Sequence, residues 1–256
     1  MIVRYLIDRL AARRRGPQFS APLQPDVRVY AVGDIHGRHD LLMSALARID
    51  GDLAGCDGPS ALVFLGDYVD RGAQSAQVLE KLRALQETSP TPVVTLMGNH
   101  ERMMLDFLAD PVSCGRLWLH NGGLTTMASF GIDDIDISDP DALGSAAADL
   151  RAALPAGLEI WLSNLPLLWR SGNLVCVHAA LDPRLAVSGQ ADTTMIWGHP
   201  DFRTTPRRDG IWVAHGHTVV DVPEITDGRI ALDTGAHFSG LLTVGVLEEG
   251  IFRTLT

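Results

Sequence analysis

Long apolar runs are missing from this sequence. The longest, such as Ile160 to Trp169, are broken by Asn164 and Pro166 and fall short of a bilayer crossing. A soluble chain is expected. Cysteine is scarce: Cys56, Cys114 and Cys176 are an odd count without metal-finger spacing, and Cys176 lies in the apolar run Leu174 to Val177, so buried free thiols are expected. A basic balance is absent as well. The net charge is −10, and residues 1 to 15 alone carry five arginines against one aspartate, which leaves −14 on the rest. General binding to a nucleic-acid backbone needs a basic face for counterion release, so nucleic acid is excluded as a partner and any phosphate specificity must be local. There is no internal repeat and no low-complexity tract, and a chain 46% hydrophobic and 20% charged is neither disordered nor fibrous. The stretch Met1 to Asp8 has charges within its apolar part and no small-residue cleavage site. A secretory signal is therefore not expected, and the cytoplasm is the expected location.

What is present reads as one α/β domain, since 256 residues can bury a sizeable core. Residues 1 to 26 form a basic arm and linker, with a short helix expected before Gly16-Pro17 and a linker marked by Pro22 and Pro25. From Val27 three β-α units follow: Val27 to Val32 then His39 to Ile49, Ala61 to Leu65 then Ala73 to Gln86, and Pro92 to Met97 then Glu101 to Leu108. A helical insert is expected over about 111–170. Strand candidates then return at Leu174 to Val177, Ile211 to Ala214, Arg229 to Leu232 and Leu241 to Leu247, which suggests a second sheet packed on the first.

The densest polar cluster is Gly66-Asp67-Tyr68-Val69-Asp70-Arg71-Gly72, directly after Ala61 to Leu65. A carboxylate at a strand end can coordinate a metal, and an arginine four residues on can grip a phosphate oxygen through two N–H groups. Alone, the stretch also reads as a surface turn with a solvated Asp67–Arg71 pair. Other strand ends supply matching donors: Gly33-Asp34-Ile35-His36-Gly37, Gly98-Asn99-His100-Glu101, Val177-His178-Ala179 and His215-Gly216-His217-Thr218. Asp34 to Asp67 and Asp67 to Asn99 are 33 and 32 residues apart. That is close to the roughly 30-residue βαβ unit, so the clusters should meet at one sheet edge.

In order, these Gly-Asp-x-His-Gly, Gly-Asp-x-x-Asp-Arg-Gly and Gly-Asn-His-Glu motifs resemble those of the metallophosphoesterases, specifically the bacterial and phage branch of the phosphoprotein phosphatases, over roughly Val27 to Thr243. Leu165-Pro166, His178-Ala179 with Leu181-Asp182-Pro183, and Asp233-Thr234-Gly235 fit the same resemblance. It implies a calcineurin-like fold of two packed β-sheets flanked by helices. It also implies two divalent metal ions, one held by Asp34, His36 and Asp67 and the other by Asp67, Asn99, His178 and His217, with Asp67 bridging. Carboxylate, amide and imidazole donors suit Mn²⁺, Fe or Zn²⁺ better than Mg²⁺ or Ca²⁺, and Mn²⁺ is put first. The implied reaction is direct attack of a metal-bridging hydroxide on phosphorus. Arg71 grips the phosphate, and His100, hydrogen-bonded to Asp70, protonates the leaving oxygen.

Two departures stand out. Val219 follows Gly216-His217-Thr218 where other branches place a last histidine, which disfavours nuclease and phosphodiesterase chemistry, and His215 is left out of the ligand set. The second phosphate-binding arginine expected shortly after Trp197 is absent: His199 holds that position, with Arg203 as the nearest substitute. No cysteine precedes an arginine at the spacing of a cysteine phosphatase loop, and Asp134 to Ser138 reads as a solvated loop instead of an aspartyl-phosphate motif. A serine/threonine protein phosphatase acting on a phosphorylated protein or a small phosphoester is the leading function. A symmetrical bis(5'-nucleosyl)-tetraphosphatase, which shares all three motifs, is the alternative.

Overall fold

Residues 19–255 are described by this computed structural model, and the helix expected over residues 1–15 lies outside them. The three apolar runs that open the domain are the parallel strands β1 (Arg28–Val32), β2 (Ser60–Phe64) and β3 (Val93–Thr95). Each leads into a helix: α1 (His39–Leu53), α2 (Ser75–Thr88) and α3 (Asn99–Ala109). Runs instead of alternation are what a strand buried on both faces requires. In β1, Tyr30 and Val32 pack toward the helices, whereas Val29 and Ala31 pack toward a second sheet.

That second sheet joins β4 (Leu168–Ser171), β5 (Leu174–Val177), β6 (Trp212–His215), β7 (Glu224–Thr226) and β8 (Arg229–Ala231) in the order β4-β5-β6-β8-β7. Its inner strands β5, β6 and β8 are parallel, and its edges are antiparallel. Leu174, Cys176, Ala214 and Ile230 meet Val29, Ala31, Val63 and Leu96 between the sheets. The last apolar run does not join this second sheet. It forms β9 (Val244–Glu248), which pairs antiparallel with β1 in the register Val29↔Leu247, and β10 (Ile251–Leu255) completes the first sheet as β10-β9-β1-β2-β3. This pairing covers the β1 edge that a three-stranded parallel sheet would leave open.

The insert is helical through α4 (Pro111–Trp118), a π turn (Leu119–Gly123), α5 (Leu124–Ser129), α6 (Pro140–Ala153) and α7 (Leu158–Ser163), but β4 begins within its expected bounds. Asp110 and Asp139 cap α4 and α6 by accepting from Ser113 N and Asp141 N, each just ahead of a proline whose missing N–H costs nothing there. Residues 19–26, expected as linker, lie on the second sheet: Leu23 is buried in the inter-sheet core, and Phe19 packs edge-on to Trp212 with ring centroids 5.0 Å apart. Cys176 is buried, but Cys56 and Cys114 are only half-buried, and all three are free. Among the described residues no helix is long and apolar enough to cross a membrane.

Candidate metal centre

The carboxyl ends of β1, β2, β3, β5 and β6 carry the polar clusters, and main-chain hydrogen bonds lace them into one floor. Ile35 N and His36 N donate to Asp67 O at 3.0 and 2.8 Å, Gly72 N donates to His36 O at 3.1 Å, and Gly216 N donates to His178 O at 2.9 Å. Among the described residues seven non-glycine positions have positive φ, and His36, Asp67, Asp70, Arg71 and His217 are five of them. Backbone held in a costly region persists only where the surroundings fix it, and such residues gather at functional sites.

Asp67 lies at the centre. Its Oδ2 is 3.6 Å from His36 Nε2 and 3.9 Å from His100 Nε2, while its Oδ1 is 3.4 Å from His178 Nε2. Each carboxylate oxygen thus faces a different set of rings. His36, Asp67 and His100 form one tight group of donor atoms, and Asp67, His178 and His217 form another. Asn99 Oδ1 joins the second group, 2.9 Å from His178 Nε2 and 2.8 Å from His217 Nδ1. Asp34 is buried beside the groups and accepts from His217 N through both oxygens, at 3.2 and 3.0 Å.

These residues fit cations. His178 Nδ1 lies 2.8 Å from Leu65 O, and His36 Nδ1 lies 3.0 Å from Val69 O. Only a protonated nitrogen can bond a carbonyl, so each neutral ring turns an Nε2 lone pair inward. Lone pairs aimed at a carboxylate and at an amide oxygen repel unless a cation lies among them, and this carbonyl-to-imidazole arrangement is how proteins orient metal-binding histidines. The charge states agree. Burial lowers His36 to about 3 and His217 to about 4, leaving both neutral at pH 7. Burial opposes ionisation of Asp67, yet its carboxyl lies well below the usual range, with the bond from His100 N among the causes. Asp34 is raised by burial and by the charges of Asp233 and Asp67, and acids gathered this closely suit a cation.

His100 Nδ1 sits 2.6 Å from Asp70 Oδ2, and its Nε2 lies 3.2 Å from Arg71 Nη2. Arg71 Nη1 also reaches His36 Nε2 at 3.1 Å, so this one exposed guanidinium spans both rings. Burial opposes protonation of His100, yet Asp67 and the bond to Asp70 outweigh it and raise the ring. Of the residues expected from sequence, Asp34, His36, Asp67, Asp70, Arg71, Asn99, His100, His178 and His217 come together. His199 lies apart from these groups, on a cleft of about 330 Å³ that His217 also walls. Its Nε2 is 3.6 Å from Asp182 Oδ2, and its Nδ1 accepts from Asp201 N at 3.2 Å. His215 faces away, edge-on to Phe202 with Nδ1 on Gly216 O.

No sequence motif assigns a role to three residues that build the site. Glu101 accepts from Gly98 N, Asp67 N, Tyr68 N and Val69 N, pinning the Asp67 loop to the start of α3. Trp118 Nε1 and Thr126 Oγ1 donate to Asp70 at 2.9 and 2.7 Å, orienting it toward His100. Glu101 was visible as the last letter of its motif. Trp118 and Thr126 come from the insert, where no pattern marked them.

A family model described as calcineurin-like phosphoesterase matches residues 27–232. Serine/threonine-protein phosphatase 2 of Salmonella typhimurium is 29% identical over 228 residues, 84% of this chain and 90% of that one. The asymmetrical bis(5'-nucleosyl)-tetraphosphatase PrpE of Bacillus velezensis is 28% identical over 234 residues, covering 83% and 86%. Among solved structures, a cold-active protein-tyrosine phosphatase of a psychrophilic Shewanella superposes with a TM-score of 0.57 over 92% of this chain and 83% of that one, at 17% identity, a likeness of fold.

Proposed function

The chain belongs to the calcineurin-like phosphoesterase family, and from that premise we propose that it is a dinuclear-metal-dependent phosphomonoester hydrolase of the serine/threonine protein phosphatase type. One observation carries the reading: a single buried carboxylate, Asp67, turns its two oxygens to two separate sets of histidines. In this reading Asp34, His36 and Asp67 hold one divalent cation, and Asp67, Asn99, His178 and His217 hold the other. Bound there, the two cations would supply Lewis acidity to activate water and would screen the phosphate's charge, with Mn²⁺ the first ion to test and Fe or Zn²⁺ the alternatives.

The chain's own residues do the rest. Leu65 O and Val69 O fix the ring orientations of His178 and His36. Arg71 offers two N–H groups above the rings and exchanges them from His36 and His100 to phosphate oxygens when substrate enters. That exchange frees His100 Nε2 to carry a proton to the leaving oxygen. Asp70 accepts from Nδ1 and favours the charged ring. Salmonella's serine/threonine-protein phosphatase 2 supports a phosphoprotein substrate. A dinucleoside tetraphosphate is the second reading, supported by the tetraphosphatase relative.

The test is purified protein loaded with Mn²⁺ and offered a phosphoserine peptide, an aryl phosphate and diadenosine tetraphosphate. Hydrolysis of the first two is expected, with loss in excess chelator. A protein with two bound metals and no activity on any of the three ends the reading.

A further inference from the structure

Among the described residues the guanidinium of Arg71 bonds no carboxylate and no carbonyl, and meets only the rings of His36 and His100, at 3.1 and 3.2 Å. Its direction must be set from its stem. The main chain there is in an uncommon state, with Asp70 and Arg71 in succession at φ 74° and 69°, and non-glycine backbone stays in that region only where neighbours enforce it. For Asp70 the neighbours are Thr126 Oγ1 and Ser75 Oγ, which accept its N–H at 2.8 and 3.1 Å. For Arg71 the neighbour is the π turn of the insert, where Gly122 O accepts Arg71 N at 3.4 Å.

That turn breaks at Gly122, with φ 112° and ψ 0°, and a Cβ there would lie 2.8 Å from Arg71 N, 3.0 Å from Arg71 Cγ and 3.2 Å from Asp70 Cβ. Only glycine takes that angle and leaves room for the arginine stem. The turn is also braced from within: Asn121 Nδ2 donates to Leu117 O at 2.8 Å, His120 Nδ1 lies 2.7 Å from Arg116 O, and Thr125 Oγ1 donates to Gly122 O at 2.8 Å. On either side of it, Trp118 and Thr126 donate to the Asp70 carboxylate. One short segment therefore grips two consecutive residues of the Asp67 loop, and π turns inside helices are rare and gather at functional sites.

We propose that the π turn of the insert is the positioning element for Arg71, with the bare Cα of Gly122 as the wall along which the arginine stem lies. His36 and His100 touch the guanidinium, but its reach toward a phosphate is set from the insert. This rests on the reading of the chain as a metal-dependent phosphoester hydrolase and deepens it, because a planar fork grips two phosphate oxygens only when it is held in register with them. Gly122 touches no substrate and acts through Arg71.

Two measurements on the full chain test this, with Gly131→Ala as the control. Gly131 follows α5 at φ 81°, and an added Cβ there meets nothing within 4 Å, so this variant strains the backbone in the same way without touching Arg71. The first measurement is calorimetric binding of inorganic phosphate to Mn²⁺-loaded protein. Gly122→Ala is expected to weaken it roughly tenfold, Gly131→Ala to leave it unchanged, and Gly122→Ala added to Arg71→Ala to weaken it no further. Wild-type affinity in Gly122→Ala, or a loss that persists in the Arg71→Ala background, overturns the proposal. The second needs neither metal nor substrate: in crystal structures of the metal-free variants, the Arg71 guanidinium should leave His36 and His100 in Gly122→Ala and stay on both in Gly131→Ala. Both contacts kept in Gly122→Ala overturn the proposal as well. Should Gly122→Ala fail to fold, Thr125→Val, which frees the Gly122 carbonyl without adding bulk to the turn, replaces it in both measurements, with a loss of roughly threefold expected. If the loaded wild type binds no phosphate and hydrolyses no phosphoester, the hydrolase reading fails, and the metal-free structures still decide whether Gly122 places Arg71.

Discussion

At the residue scale, the site turns on one buried carboxylate that receives three donors. Asp70 is fully buried and accepts from His100 Nδ1, Trp118 Nε1 and Thr126 Oγ1, so its orientation is set from three sides. Burial pushes its carboxyl up, against the pull of the His100 bond, while His100 itself is raised. A proton is therefore kept on the pair. If His100 is the general acid, His100→Asn should keep both metals and lower kcat by roughly 10²- to 10⁴-fold on alkyl phosphates. Nitrophenyl phosphate, whose leaving group needs no proton, should suffer less. Equal losses on the two substrates would reassign His100 to holding metal, a role that its place in the first donor group allows. Thr126→Val removes one donor from a buried acceptor and should cost about 1–3 kcal/mol of stability, read from the urea midpoint, while metal content stays near wild type.

At the element scale, α3 both carries the site and locks the loop before it. Glu101, the third residue of the helix, reaches back to Gly98 N as a cap and across to Asp67 N, Tyr68 N and Val69 N. Asp67 Oδ1 in turn accepts His100 N, at the positive end of the helix, at 3.1 Å. A Cβ on Gly98 would collide with Asp67 N and Oδ1, so only glycine allows this approach. Glu101→Gln puts an NH₂ group against N–H donors and should lower stability by roughly 2–4 kcal/mol, and affinity for the second metal should fall with it. Wild-type denaturation and metal titration curves from this variant would show that the clamp does not position Asp67. The sequence made β1, β2 and their motif-bearing ends legible because strands buried on both faces leave unbroken apolar runs. It placed the start of α3 two residues late, since Asn99 and His100 look like loop residues and are helical only because Glu101 caps the turn. Strands β4, β7 and β10 left no such signal. They are edge strands with half-exposed or exposed residues, specified by their partners.

At the scale of the whole molecule, the chain closes on itself near Asp52, whose Oδ2 accepts Tyr30 OH from β1 at 2.7 Å and Arg253 Nη2 from β10 at 2.8 Å. The Arg253 bond, against the opposing effect of burial and with help from Tyr30, holds Asp52 below the ordinary carboxylate range. A carboxylate lower in the folded than in the unfolded chain contributes stability above its unfolded value of about 3.9 and loses it as pH falls through the folded value. Asp52→Asn should therefore melt below wild type at pH 7, and the gap should narrow toward pH 3. A gap of equal size at both pH values contradicts this. The central claim is that two cations sharing Asp67 make this chain a hydrolase. It is tested most directly by adding zero to two equivalents of Mn²⁺ to metal-free protein and following nitrophenyl phosphate hydrolysis against bound metal, for wild type and Asp67→Asn. The expected result is no turnover without metal, activity that rises as the second equivalent binds in wild type, and neither full occupancy nor activity in Asp67→Asn. Full turnover by protein shown to contain no metal, or two metals held with wild-type activity by Asp67→Asn, would contradict the claim.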